Sequence, residues 1–448
     1  MMEKFRFIKT IDSVGCLFFD DTKIFRGIRE KHCEDVKKIF DICKKAGLFG
    51  RLIIDTRIVD NFNSFNFDLV LEHEKVDPVN YPSEWSPVMF FDCAKMVIEF
   101  MIELDSLGIG LSDCHHYNVL FHKGRFIWID FGALSLNPIK HSAIWGVVDN
   151  FLHSVIMSRK VNFKKYSNIF KSGGRYDYKD IMGHLHFSEL IKYYFYKKKL
   201  QLSLKRKRIK ESLLIIKNWL HSYSVTMCDA EWLDHQKEPI GCFFQKELLH
   251  DKRSREIMSF ISKVDPDRIL CIGGNAGIYC FEAEKKGIYG IIIDIDIASI
   301  DNIYRKIKET CSKKIVPIVL DFLSPTPATF KSAPCDDDGC IELGGIVSAK
   351  RRFKSDFVLA LALVHHLVFY QKVDFGEIIR QLKSFSQKYL IVEFVRPHDK
   401  HVSEWYKKGL EWYSMSNLKN ELEKEFEILK TVDTFKDQRT LIFCKLRG

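Results

Sequence analysis

No membrane-spanning run is legible in this chain of 448 residues. Its most apolar windows are 88–111 and 357–370. Charges at Asp92, Lys95, Glu99, Glu103 and Asp105 break the first, and the second is shorter than the roughly 20 residues a bilayer demands. The opening stretch, MMEKFRFIKTIDSVG, has none of the about 7–15 consecutive apolar residues of a secretory leader. Missing too is any CxxC pair. The thirteen cysteines are scattered, which argues against a zinc knuckle or a disulfide framework and fits free thiols in a reducing cytosol. Cys335 and Cys340 flank Asp336, Asp337 and Asp338, and this segment is expected to be a polar surface loop rather than a metal loop. No internal repeat, low-complexity tract or Pro/Gly/Ser-rich linker punctuates the chain. The expectation is a cytoplasmic globular protein.

What is present divides into three regions. The composition, 46% hydrophobic and 29% charged, is that of a folded chain, and its length exceeds one ordinary core. Residues 1–135 combine short strand-like runs (Cys16–Phe19, Lys23–Arg26, Leu52–Ile54, Leu69–Leu71) with a long amphipathic helix over Pro87–Leu107. A strand–turn–strand unit follows around Asn118–Asp130. Residues 136–245 read as mainly helical. Residues 246–448 alternate strand and helix, the signature of a doubly wound parallel sheet, so the fold class is α/β with an α+β N-terminal module.

Chemistry concentrates in the last region. Asp267–Gly277 reads D-R-I-L-C-I-G-G-N-A-G, an apolar strand ending in Gly273, Gly274, Asn275 and Gly277, with a helix expected over Ile278–Lys286. Glycines at such a turn let the backbone approach a ligand closely. The next strand, Gly290–Ile293, ends in Asp294, seventeen residues after Gly277, where an acid holds a ribose diol. Further strands are expected at Ile315–Leu320, ending in Asp321; at Asp356–Leu363, ending in His365 and His366; and at Tyr389–Val392, ending in Glu393. Polar residues thus recur along the edge where open α/β sheets bind ligands. The C-terminal helix Met415–Glu425 precedes two strands, Phe426–Val432 and Arg439–Cys444, joined by a turn.

That terminal hairpin on a Rossmann-like β/α sheet, seven strands in all, resembles the class I S-adenosylmethionine-dependent methyltransferases. The loop L-C-I-G-G-N-A-G is similar to their first motif, with Cys271 in place of the usual acid. A closer resemblance runs through Leu71–Ser86, Leu111–Phe121, Phe357–Leu367, Ile391–Asp399 and Gln438–Phe443, and it is to bacterial methyltransferases of the NoeA nodulation-protein type. It implies S-adenosylmethionine as cofactor, held by Gly273, Gly274, Asn275, Gly277, Asp294 and Asp321, and a glycan or glycoconjugate hydroxyl as acceptor. A hydroxyl must lose its proton during transfer, and an imidazole accepts one near neutral pH. One of His365 and His366 is therefore the expected base, with Glu393 as its support. His365-His366 stands where N/D-P-P-Y/F would mark methylation of base amines, which argues against exocyclic amines of nucleic acid and less strongly against ribose hydroxyls, so a nucleic-acid partner is not expected.

The N-terminal module carries a kinase-like echo. Asp113 and Asn118 are five apart and Asp130-Phe131-Gly132 begins twelve residues later, nearly the spacing of a catalytic Asp, a metal-binding Asn and a DFG Asp. Leu111-Ser112 replaces the usual His-Arg, no G-x-G-x-x-G occurs in the first 110 residues, and no strand lysine of V-A-I-K type is recognisable. The expectation is a degenerate kinase-like lobe. Asn118 and Asp130 would bind metal only if it were active, and no other metal site is expected. A bifunctional kinase–methyltransferase of polysaccharide termini and a non-catalytic methyltransferase-like scaffold remain the alternatives. Tyr81-Pro82-Ser83-Glu84-Trp85 is either a helix cap at a domain interface or a sugar-stacking platform.

Charge is uneven. Lys and Arg exceed Asp and Glu by 69 to 59, a net +10. Ten basic residues between Lys192 and Lys217, against the single acid Glu211, account for nearly all of it. With the interleaved Tyr193, Tyr194, Phe195, Leu200, Leu202, Leu204 and Ile209, this stripe suits anionic headgroups at the inner face of a membrane, an acidic glycan or RNA, or else is a solvated helix face.

Overall fold

A computed structural model describes the chain apart from residues 1–5, 10–13, 21, 61, 63–64, 66, 172, 224–250, 329–340, 343–345, 400–401, 407–409, 436–437 and 448. The Cys335–Cys340 loop lies outside the described residues. The chain divides into two compact units, Met1–Thr226 with Pro327–Val347, and Met227–Thr326 with Ser348–Gly448. The helical stretch set apart as 136–245 belongs, up to Thr226, with the first unit.

In the first unit, β1 (Arg6–Lys9), β2 (Gly15–Phe19), β3 (Ile24–Ile28), β4 (Thr56–Val59) and β5 (Leu69–His73) form an antiparallel sheet in the order β1-β2-β3-β5-β4. Alternation puts Phe18 and Phe25 on one face, stacked 5.3 Å apart, with Phe62, Phe65 and Phe67 packed against them. Helix Cys33–Lys45 joins β3 to β4 and buries Val36, Ile39, Phe40 and Cys43 at helical spacing. Leu52–Ile54, expected as a strand, instead supplies an isolated bridge through Ile53, and the strand begins at Thr56. Helix Pro87–Ser106 starts where Pro87 pre-sets the first turn and Ser86 Oγ accepts from the Met89 amide at 3.2 Å. It is buried widely, not along one stripe, from Met89 through Leu104. Then β6 (Gly110–Leu111) pairs with β9 (Leu134–Ser135), enclosing the hairpin of β7 (Val119–His122) and β8 (Arg125–Trp128). The remainder, to His221, is helical.

The second unit is built on β10 (Arg268–Ile272), β11 (Tyr289–Asp294) and β12 (Ile315–Val319). After β13 (Ile341–Glu342), which pairs beside β1 of the first unit's sheet, come β14 (Ser355–Ala360), β15 (Ser386–Val395), β16 (Phe426–Thr434) and β17 (Arg439–Leu446). The seven strands lie in the order β12-β11-β10-β14-β15-β17-β16, with β17 antiparallel to both its neighbours. β10, β11 and β14 are near-continuous apolar runs because they are buried on both faces. The strand expected to reach Leu363 stops at Ala360. The chain turns through Ala362 at φ +49°, and helix Val364–Gln371 begins.

Candidate functional site

The carboxyl edge of the parallel strands gathers most of the expected residues. Gly273 and Gly277 sit at φ +63° and +69°, and Asn275 between them is also left-handed. The Gly273 amide donates to the Ile293 carbonyl at 2.9 Å, tying the loop to β11. A Cβ at Gly274 or Gly277 would lie 2.5 Å from a methyl carbon of Ile292, so only glycine lets the loop lie this low. Asp294, the last residue of β11, accepts from the Asn275 amide through Oδ2 and from the Asp296 amide through Oδ1, both at 3.0 Å. Burial raises its pKa to about 6, against the opposing effect of those amides. Asp321, just past β12, is half-buried and accepts from the Leu323 amide at 3.0 Å. Cys271 meets Cys280 thiol to thiol at 2.9 Å, both buried. The residue in the acid's place therefore packs β10 against the following helix.

His365 and His366 are placed by the first turn of helix Val364–Gln371, not by the end of β14. Their rings lie 4.2 Å apart. His365 is buried, with its ring parallel to Trp405 at 6.1 Å; His366 is half-buried, parallel to Tyr370 at 5.9 Å. Glu393 does not support an imidazole. Its fully buried carboxylate pairs with Arg253, whose Nη2 donates to Oε2 at 2.9 Å while Nε lies 2.9 Å from Oε1. Burial works against the Arg253 charge, but Glu393 outweighs it and the pKa rises. Tyr279, in the helix after the glycine loop, joins this group through Arg253 Nη1 at 3.4 Å and Ser254 Oγ at 3.2 Å. Arg253 and Tyr279 were not legible as members of this group, since Glu393 is 140 positions from Arg253 and Tyr279 joins it only through Arg253 and Ser254.

No family model matches the chain. Nodulation protein NoeA of Rhizobium meliloti (strain 1021) is 24% identical over 360 residues, spanning 74% of this chain and 72% of that protein. A SAM-dependent methyltransferase from Aquifex aeolicus is 13% identical with a TM-score of 0.32, covering 46% of this chain and 97% of that one. The N-methyltransferase NodS from Bradyrhizobium japonicum WM9, in complex with S-adenosyl-L-homocysteine, is 14% identical with a TM-score of 0.31, covering 45% and 92%. The strand order of the second unit, with its reversed penultimate strand and its glycine loop after β10, decides the architecture. The fold is that of a class I methyltransferase. Its residues fit S-adenosylmethionine: the loop is low enough for backbone approach, and each Asp294 oxygen keeps a lone pair for a ribose hydroxyl.

In the first unit of this methyltransferase-fold chain, Asp130 follows the β7–β8 hairpin. Its Oδ1 accepts from the Gly132 amide at 3.1 Å and from Arg26 Nη2 at 2.8 Å. Arg26 stands on β3 and is buried. Asn118 stands at the same open end of the hairpin as Asp130, its carbonyl accepting from the Ile129 amide at 2.9 Å, and Asp113 is exposed. Tyr81–Trp85 is a helix-capping turn. Trp85 is fully buried, its Nε1 donating to Asn80 Oδ1 at 2.8 Å, and the buried Glu84 accepts from the Tyr81 amide at 3.0 Å. Neither side chain offers a face to a sugar.

Proposed function

We propose that the second unit transfers the methyl group of S-adenosylmethionine to a hydroxyl of a glycan or glycoconjugate. The observation that carries the transfer is the glycine loop lying on Ile292 beside an anchored Asp294, at the carboxyl edge of a β12-β11-β10-β14-β15-β17-β16 sheet. The hydroxyl acceptor rests on the resemblance to the NoeA type. The bound cofactor supplies a methyl carbon already activated by the sulfonium, so the chain must align the acceptor and remove its proton. As the acceptor oxygen bonds to the methyl carbon, the carbon–sulfur bond breaks with its electron pair passing to sulfur, and the hydroxyl proton goes to a base. His366 is the proposed base, because its ring is half-exposed where that of His365 is buried. His366→Ala is expected to lower turnover about a hundredfold with S-adenosylmethionine affinity unchanged. Near-wild-type turnover would remove His366 from the mechanism. The acceptor is sought by offering labelled S-adenosylmethionine with fractionated cell-envelope material. Absence of S-adenosylmethionine binding in titration calorimetry would favour a non-catalytic scaffold instead.

A second reading concerns the first unit, which resembles a kinase lobe. Its support is a cation on the third strand, Arg26, paired with the Asp of Asp130-Phe131-Gly132 across a sheet whose third and fourth strands are joined by a helix. We read it as a lobe for acceptor binding or scaffolding, since Arg26 already neutralises the carboxylate that a metal would need. ATP with Mg²⁺ should leave its melting temperature unchanged. A shift as large as that given by S-adenosylmethionine would revive a bifunctional kinase–methyltransferase.

A further inference from the structure

The basic stripe is carried by two helices, Phe187–Lys205 and Ile209–His221. They run antiparallel, as the contacts of Ser212 Oγ with Ser203 Oγ at 2.9 Å and of Lys192 Nζ with the Ser222 carbonyl at 2.9 Å require. Tyr193, Leu200 and Leu204 of the first helix are buried, with Leu213, Ile216 and Trp219 of the second. The opposite face of the first helix is apolar as well. Phe187 is 79% exposed, Ile191 57%, Tyr194 53%, Phe195 54% and Leu202 49%. At helical spacing these five fall on one side, with Lys198 and Lys205 among them. A helix that faces only water carries polar residues there.

The ten cations of this stripe divide by environment. Lys192 is held by the Ser222 carbonyl, Lys197 lies 3.9 Å from the Tyr178 ring centre, Arg208 pairs with Glu211 at 3.0 Å and Lys217 with Glu99 at 3.2 Å. The other six are exposed and none forms an ion pair among the described residues; Lys210 feels the charge of Asp105 and Lys199 lies 4.4 Å from the Phe195 ring centre, while Lys198, Lys205, Arg206 and Lys207 have no such neighbour. No acid lies between Glu189 and Glu211. An apolar stripe thus leads to a turn of uncompensated positive charge.

We propose that this face docks on an anionic lipid bilayer. The exposed Phe, Ile, Tyr and Leu side chains enter the headgroup boundary, while the lysine stems extend so that their ammonium groups reach the lipid phosphates. Charge complementarity selects this occupant over a second copy of the chain, because two such faces would set five uncompensated cations against five. A purely ionic partner such as RNA leaves the apolar stripe without a role.

The full chain is sedimented with vesicles of phosphatidylcholine alone or mixed in equal parts with phosphatidylglycerol. Binding to the mixed vesicles only is expected, falling as salt is raised. Lys205→Glu/Arg206→Glu/Lys207→Glu should weaken it at least about a hundredfold, at about a fivefold loss for each cation removed near the surface and more for the carboxylates that replace them. Phe187→Ser/Ile191→Ser/Phe195→Ser, at exposed positions where the fold is not at risk, should weaken it about tenfold or more. Both variants are checked for unchanged melting and S-adenosylmethionine affinity. The proposal is overturned by equal binding to neutral vesicles, by no binding to either, or by full binding of the serine variant. It is overturned equally by light scattering that shows a dimer which the serine variant converts to monomer.

Discussion

Asp294 is the residue to which the proposed function gives the ribose of the cofactor. It accepts two backbone amides and is half-buried, and burial lifts its pKa from 3.8 to about 6. Between those values the unfolded chain has shed this proton while the folded chain keeps it. The fold therefore loses stability as pH rises through that window and recovers none above it. Ligand binding runs the other way, because both hydroxyls of a ribose diol must donate and only the carboxylate accepts both. S-adenosylmethionine affinity should rise from pH 5 to 7 with its inflection near 6. Asp294→Asn should lose that dependence and bind about tenfold or more weakly, the cost of a hydrogen bond to a charged group. Titration calorimetry across pH measures both, and a wild-type affinity flat over that range would refute the assignment.

At the scale of elements, the ion pair of Arg253 and Glu393 fixes helix Lys252–Val264 against β15. Glu393 is fully buried and the Arg253 side chain 19% exposed, so removing one partner strands a charge in the interior. Glu393→Ala should cost about 3 kcal/mol in urea unfolding, and the double replacement Arg253→Met/Glu393→Leu should recover most of it. A double variant no more stable than Glu393→Ala would mean that the pair does more than neutralise itself. The strands of this unit were legible because a parallel strand buried on both faces is an unbroken run of Ile, Val and Leu. Which carboxylate meets which cation was not legible: Glu393 and Arg253 lie 140 positions apart, and neither segment marks the other as its partner. Arg26 was overlooked for a related reason. Its chemistry comes from Asp130, 104 positions away, and nothing in its own segment marks it. The end of β14 escaped for a local reason, since F-V-L-A-L-A-L-V has no polar residue to show where strand gives way to turn.

Each unit of the molecule has its own interior. One gathers around Trp128 and the widely buried helix Pro87–Ser106, with a smaller cluster of Phe18, Phe25 and Val70 on the sheet; the other gathers on both faces of β10, β11 and β14. The chain passes between the units at 226/227, 326/327 and 347/348, and the residues proposed to hold the cofactor, Gly273, Gly274, Asn275, Gly277, Asp294 and Asp321, all belong to the second. Two cores in one chain unfold as separate cooperative events unless their interface is large. A ligand that binds one native unit stabilises that unit alone, by about 2.7 kcal/mol at a hundredfold excess over its Kd. Scanning calorimetry should accordingly resolve two transitions. S-adenosylmethionine should raise one by roughly 5–10 °C, the shift expected for a unit of about two hundred residues, and leave the other in place. Asp294→Asn should abolish the shift without moving the second transition. A single transition that moves as a whole would mean that the two cores fold as one, and the first unit would then have to be counted part of the cofactor-binding body.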